Sequence, residues 1–435
     1  MSLATLGFVT IGLFLVLTLA TRLPVIAALV LVPLAAGVAG GFGAEIGAFA
    51  LDGVKTVAPV TAMIFFALLY FGLMLDQGLF EPMIRKVLSL VGEDPLRLCL
   101  ASAVLPMLVA LDGDGATTFL ISVTALLPVH RRLGLNPLIL PCLVALSAGV
   151  MNMLPWGGPT ARAMAVLKSD VSGIFTPVVP AMAAGLGWVL FVAWWMGRGE
   201  RRRLAAAHPA PGGIVPDPET RPSSWRFWFN LGLTLIVIVL LFRDLYAGLI
   251  QLPPLPPALV FMAAFAIALP VNCQGAESQA RQLASHAASV ASVTTMILAA
   301  GVFTGVLNGS GMTKAMAEML AAAAPGSLAP WFSTIVALTA MPMSFVLPPD
   351  AYYFGVLPVF AETAGTLGQN PLEIGRGAIL GQMTTGFPLS PLTASTFILI
   401  GLSGVSLRDH QRFAFKWAFG STIVMTVTAL LTGAI

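Results

Sequence analysis

The chain has 435 residues, of which 57% are hydrophobic and only 9% charged, against about 25% charged in soluble domains. A mean hydropathy of +0.92 excludes a soluble globular protein, and a formal charge of +3 is too small to imply a nucleic-acid partner. Cys99, Cys142 and Cys273 show no CxxC spacing, which argues against a disulfide framework or thiolate metal site and for buried, reduced thiols.

Taken in chain order, stretches apolar enough to cross about 30 Å of hydrocarbon as helices fall at 4–20, 24–41, 57–76, 137–169 and 174–196. Five more follow at 227–247, 255–271, 286–308, 374–401 and 413–434. The first stretch has no basic residue ahead of it, and its first cation, Arg22, follows it. It reads as a retained span rather than a signal peptide. The regions 98–129 and 329–361 are apolar but carry turn formers at their middle, and read as re-entrant hairpins. Between the halves, 198–226 holds Arg198, Arg201, Arg202 and Arg203 and then a Pro/Gly-rich run. It reads as a linker dividing 1–197 from 227–435, and its arginines place it in the cytoplasm. Five crossings back, the N-terminus lies outside, so the first hairpin enters from the cytoplasm and the second from outside.

The two halves resemble each other. MIFFALLYFGLMLDQG from Met63 matches MILAAGVFTGVLNGSG from Met296, with Gly72 facing Gly305 and Gly78 facing Gly311 at an offset of 233. Leu154-Pro155 with Thr160-Ala161 matches Phe387-Pro388 with Thr393-Ala394 at the same offset of 233. Repeats with an odd number of crossings must lie inverted in the membrane, which predicts a shared site near the midplane.

The chemistry-bearing residues sit in interrupted segments. The first hairpin reads LVALDGDGATTFLISVTALLP, with Asp112, Asp114, Thr117 and Thr118; the second reads SFVLPPDAYYFGVLPV, with Asp350 and Tyr353. A carboxylate at a membrane-helix centre costs about 2.5 to 3.5 kcal/mol on insertion scales, so its default reading is functional. Asp114 or Asp350 could instead cap the helix that follows it, and Tyr352 and Tyr353 could be ordinary packing. The fourth span of each half is broken, by MNMLPWGGPTARA and by TTGFPLSPLTAST, because proline removes a helical hydrogen bond and Gly157 and Gly158 free the backbone. Asn152, Thr160, Thr385, Ser390 and Thr393 would then supply neutral hydrogen bonds beside freed backbone groups. Arg162, just past the first break, either pairs with a substrate carboxylate or with Asp112 or Asp114, or snorkels to the interface. The four histidines fall in loops or at span ends, with no HExxH, P-loop or His-paired nucleophile in the spans, so no enzyme is expected. With two carboxylates, the first half is expected to be the cation side of the chamber.

LDGDGATT, NMLPWGGPTARA, DAYYFGVLP and GFPLSPLTAST together resemble the citrate-metal:proton symporter family of the ion transporter superfamily, related to the divalent anion:sodium symporters. The resemblance covers essentially the whole chain. It implies import of citrate complexed with Mg²⁺ or Ca²⁺, driven by protons, by an elevator motion of a transport region against a scaffold. It also implies a homodimer in the bacterial inner membrane with no permanently bound cofactor. Where sodium-dependent relatives carry a Ser-Asn-Thr type tip, this chain has Asp-Gly-Asp-Gly-Ala-Thr-Thr, and carboxylates suit a substrate that brings its own divalent cation. In that reading Asp112, Asp114 and Asp350 contact the metal or carry the proton. A sodium-coupled di- or tricarboxylate carrier and, from another class, a passive channel remain open as alternatives.

Overall fold

The computed structural model describes residues 2–435 apart from 22, 93, 114, 206–223, 243–254 and 324–325. The longest apolar runs form the longest helices: α1 (Leu3–Ala20), α2 (Val25–Ala39) and α3 (Ile46–Asp76). They are followed by α4 (Glu81–Val91), α5 (Pro95–Val109), α6 (Gly115–Arg132), α7 (Ile139–Met151), α8 (Gly158–Val166), the single turn α9 (Val171–Ile174) and α10 (Val179–Ala205). The second half contains α11 (Ser224–Leu241), α12 (Pro257–Asn272), α13 (Ala276–Gly309), α14 (Met312–Ala323), α15 (Phe332–Met343), α16 (Leu357–Thr366), α17 (Pro371–Ile379), α18 (Ala394–Ser403) and α19 (Leu407–Leu431). The described residues are all-helical, without strands. Among the described residues, five helical spans are long and apolar enough to cross a membrane on their own. Large apolar side chains such as Leu13, Val16, Leu31, Trp228, Leu235 and Val427 stand exposed on the helices, as a lipid-facing surface requires.

Without a hydrophobic force between helices in lipid, close packing has to come from small residues. α3 and α13 supply it. A Cβ on Gly53 would lie 2.0 Å from the Gly301 carbonyl oxygen, and one on Gly305 would lie 2.4 Å from that of Phe49. Gly301, Gly305 and Gly309 form a one-turn-spaced stripe that lets the two longest helices touch backbone to backbone, although no such pattern is expected from hydropathy. α2 and α12 pack on the same pair. Beside them Trp156 stacks on Phe71 at 5.0 Å and meets Phe261 edge-on at 5.4 Å, tying the first broken segment to α3 and α12.

Several boundaries differ from the hydropathy reading. α3 and α13 begin about ten residues before their apolar runs, because a helix once nucleated gains a hydrogen bond per added residue and propagates through polar positions, in α3 even through Gly47 and Gly53. α10 continues through Arg198 to Ala205, so the arginine cluster is the end of a helix rather than the start of the linker; the remainder of the linker to residue 223 lies outside the described residues. α4 and α14 are unforeseen, being too short and too amphipathic to register as spans. The arms of the first hairpin, α5 and α6, pack side by side. Those of the second do not, since α17 packs against both and they meet through Phe332 and Phe360 at 5.7 Å.

Of the described histidines two lie at helix ends, as expected, and one inside a helix. His130 is buried in the last turn of α6 with Nε2 2.8 Å from Ser102 Oγ, and His410 is buried in the first turn of α19. His286 lies inside α13 with Nε2 2.7 Å from Asp76 Oδ2; His208 lies outside the described residues. Cys99, Cys142 and Cys273 are buried and unbridged.

Candidate functional site

α7 ends at Met151 because Pro155 cannot donate and Gly157 and Gly158 relax the chain; α8 restarts with Pro159 in its first turn, where a missing N–H does no harm. The turn between them is tight. A Cβ on Gly157 would lie 2.0 Å from the Asn152 carbonyl oxygen, so only glycine fits. Thr160 Oγ1 donates to the Met153 carbonyl at 2.6 Å, closing the break on itself, and Trp156 Nε1 donates to the Leu111 carbonyl at 2.9 Å, pinning it to the first hairpin tip.

The second break, from Ile379 to Ala394, is much longer. Met383 adopts a left-handed backbone at φ 57°, unusual for a non-glycine residue. Its carbonyl accepts from Asn152 Nδ2 at 2.7 Å, while Asn152 Oδ1 accepts from the Gly158 N–H at 3.3 Å. Asn152 therefore straps the two breaks together. Thr385 Oγ1 lies 2.6 Å from Thr422 Oγ1 on α19, and Ser390 Oγ donates to the Ser344 carbonyl at 2.5 Å. Thr393 caps α18 without using its hydroxyl, which is buried and has no partner.

Asp350 opens the second arm. Pro358 lacks an N–H for the Phe354 carbonyl, and the segment Ala351–Val356 widens into a π-helix, a geometry frequent at functional sites. Asp350 makes no capping bond. Its Oδ1 accepts from Arg162 Nε at 2.8 Å and lies 2.8 Å from Nη2, while Arg162 Nη1 donates to the Gly158 carbonyl at 3.1 Å. Side-chain exposure is 9% for Arg162 and 16% for Asp350, so this is a nearly dry ion pair joining the first half's broken helix to the second half's hairpin. Arg162 also lies 6.0 Å from the centre of the Phe354 ring. It does not snorkel to the interface, because its guanidinium points inward from the middle of α8 and is held by Asp350.

Of the expected residues, Asn152, Gly158, Arg162 and Asp350 are linked to one another, and many polar atoms of the others are spent on the scaffold. Tyr353 Oη donates to the Gln382 carbonyl at 2.9 Å, which makes it a buried brace. Gly158 faces the Met383 methyl, 2.4 Å from where a Cβ would stand. Thr117 and Thr118 lie in the first turn of α6, Thr118 fully buried. The Asp112 backbone ends the short 3-10 turn Ala110–Asp112; its carboxylate, and all of Asp114, lie outside the described residues. Among the described residues no three His, Cys, Asp or Glu side chains cluster closely enough to hold a metal.

The sequence reading missed Gln382, whose amide accepts from Ser344 and donates to the Leu347 carbonyl at 3.2 Å. It missed the start of α19 as well, where His410 Nε2 lies 3.1 Å from the Pro388 carbonyl and Gln411 Nε2 donates to that of Leu389 at 2.8 Å. A lone amide in an apolar run was the available clue for Gln382; nothing local marks the others.

Comparison with known proteins agrees in kind. The profile of the CitMHS family, described as citrate transporter, matches residues 11–381. A citrate transporter of Bacillus subtilis (strain 168) is 45% identical over 437 residues, covering 100% of this chain and 99% of its own. A Mg(2+)/citrate complex secondary transporter of the same organism is 44% identical over 441 residues with the same coverage of 100% and 99%. Among solved structures, the YdaH transporter of Alcanivorax borkumensis superposes with a TM-score of 0.55 at 15% identity, over 99% of this chain and 98% of that one. MtrF of Neisseria gonorrhoeae gives 0.56 at 11% identity, over 98% and 94%. At such identities these two structures speak for the fold alone.

Proposed function

We propose that this chain, which belongs to the CitMHS citrate transporter family, carries citrate as its complex with Mg²⁺ or Ca²⁺ across the bacterial inner membrane, coupled to protons. It is a multi-pass membrane protein, and its relatives are transporters rather than enzymes. The observation that carries the reading is the Arg162–Asp350 pair. A metal–citrate complex is itself an ion pair of about one net negative charge. Arginine matches a carboxylate through two parallel N–H donors, and a carboxylate oxygen is the ligand hard divalent cations prefer. Opening the internal pair frees both groups for the matching halves of the substrate. Asp350, once separated from Arg162, requires a new positive partner because a bare charge in that setting is too expensive; the metal or a proton fills that role, with Asp112 and Asp114 as further candidates. The unpartnered Thr393 hydroxyl, with Thr117, Thr118, Asn152, Gly157, Gly158, Thr160, Thr385 and Ser390, completes the lining once the breaks part.

An inverted repeat is supported by the succession of elements: α4 to α8 and α14 to α18 follow the same order, a short amphipathic helix, two hairpin arms and a broken helix. The glycine-locked α3 and α13 suit the scaffold of an elevator, with the hairpins and breaks moving against it, in a homodimer as the family resemblance implies. Uptake of labelled citrate into proteoliposomes under a proton gradient tests the reading. Uptake is expected to require Mg²⁺ or Ca²⁺ and to collapse when the proton gradient is dissipated. Uptake that survives chelation of the metals defeats the complex, and a sodium gradient that replaces the proton gradient defeats the coupling.

A further inference from the structure

Two adjoining cavities lie where α8 and α16 meet the α3–α13 pair. One of about 190 Å³ is walled by α3, α13 and the end of α8; the other, of about 390 Å³, by α14, α16 and the same end of α8. Lys168 and Asn308 belong to both. Asp52 adds a carboxylate to the first, Lys314 and Glu362 a charge of each sign to the second. No ion pair ties these four charged groups to one another among the described residues. Thr313, which lines the larger cavity, is 4% exposed, and its hydroxyl is buried without a partner.

Lys168 is placed by an uncommon device. α8 closes with the Ser169 N–H on the Met164 carbonyl at 3.0 Å, which forces residue 168 into the left-handed region at φ 52°. This closure normally takes glycine. α18 closes the same way, Val405 N–H on the Ile400 carbonyl at 3.2 Å, and has Gly404 there at φ 73°. Helix capping therefore does not explain a lysine, whereas an exposed lysine that lines two adjoining cavities does.

The walls also lead inward. Ala165 and Val166 border the cavities, and Arg162 is one helical turn back along α8; Pro358 and Ala361 border the larger one, and Asp350 lies two turns back along the same arm. We propose that these joined cavities form a receiving site for a metal–polycarboxylate complex on the face that the arginine distribution assigns to the outside. Lys168, Lys314 and Asn308 take the free carboxylates, and Asp52 and Glu362 face the hydrated cation. Mg²⁺ keeps much of its water shell, so carboxylates that reach it through water suit a first encounter rather than a final site. The proposal rests on the transport reading above and adds a second station to it.

The test uses the full chain in proteoliposomes with labelled citrate and Mg²⁺. Replacing both lysines, K168A with K314A, is expected to raise the KM for uptake about tenfold through lost electrostatic capture, with the rate at saturation within about twofold. K168R with K314R is expected to restore the KM, and added salt to shrink the difference between wild type and the alanine pair. An unchanged KM in the alanine pair, with wild-type uptake still dependent on Mg²⁺, overturns the receiving site and leaves the transport reading intact. A fall in saturating rate that arginine does not rescue also overturns it, since that marks a structural role. Wild-type protein that takes up no citrate in the presence of Mg²⁺ overturns the transport reading and the site together.

Discussion

The broken helices cross the opposite halves in two places, and the two crossings are built differently. α8 packs on the π-helical arm that follows Asp350, and α18 packs on α6. At the first the contact is the buried Arg162–Asp350 ion pair. Beside the second, Phe387 stacks on Phe119 at 5.9 Å, and the positions related by the offset of 233 to Arg162 and Asp350 are Ser395 and Thr117. In the proposed repeat the frame recurs but the charge does not. Among the described residues one crossing is charged, and on the proposed reading that gives the chamber a direction suited to an asymmetric cargo of metal and anion. The expectation that the first half is the cation side rests on Asp112 and Asp114, whose carboxylates lie outside the described residues; at the described crossing the first half brings the positive Arg162 and the second half the carboxylate of Asp350.

The largest effect should come from opening the charged crossing. Arg162→Met leaves Asp350 buried without a partner and is expected to cost roughly 3 kcal/mol, seen as a lower unfolding temperature in detergent, and to abolish uptake. R162M combined with D350L replaces both charges with apolar side chains and should recover most of that stability, while uptake stays lost. Uptake by the double variant would show that the pair only holds the fold. At the other crossing, Ser395→Ala is expected to change stability by no more than about 0.5 kcal/mol and uptake by less than threefold. Equal losses at both crossings would erase the distinction between them.

The first break offers a second, smaller contrast within two residues. Gly157→Ala drives a methyl to 2.0 Å from the Asn152 carbonyl, which is backbone and anchored by the turn itself; Gly158→Ala meets the far end of Met383 at 2.4 Å, a flexible side chain that can turn away. Overpacking typically costs about 1–3 kcal/mol, so G157A is expected near the top of that range and G158A near the bottom. The readout is the unfolding temperature together with the KM for citrate. If G158A proves the worse of the two, the Asn152–Met383 strap rather than the turn is what fixes the break.

How far the sequence foretold this depends on whether the responsible residues were local. The breaks at Pro155, Gly157 and Pro388 and the helix interruptions near Gly113 and Pro348 were legible, because proline and glycine act on their own backbone. So was the chemical interest of Asp350 and Arg162, since a charge in an apolar run is conspicuous by itself. Their pairing was not, because they lie 188 positions apart and nothing in either neighbourhood names the other. The same holds for Asn152 with Met383 and Tyr353 with Gln382. α4 and α14 were lost because a hydropathy average cannot register a helix that is apolar on one face only. The α3–α13 glycines were plainly visible, yet their partner surface was not.

A second, exposed ion pair shows how much of the first crossing's weight is burial. Asp94 caps α5 through the Leu96 N–H at 3.0 Å and holds Arg201 at the end of α10, with Arg97 at 3.7 Å. Arg201 is 53% exposed, so water and salt screen the pair. The partial burial of the Asp94 carboxyl works to raise its pKa, but the hydrogen bonds from Arg201 and Leu96 and the two positive charges outweigh that and hold it below the usual carboxylate range. The stabilisation is therefore fully present above the unfolded carboxylate value of about 3.9 and fades as pH falls through the lower folded value. Asp94→Asn keeps the cap and loses the charge, and is expected to cost about 0.2–1 kcal/mol at pH 7. The difference between D94N and wild type in unfolding temperature should vanish at acid pH and shrink in high salt. A D94N penalty that matched R162M at pH 7 would mean that exposure does not set the value of an ion pair in this protein, and the contrast between the two crossings would then need another cause than the dryness of Arg162 and Asp350.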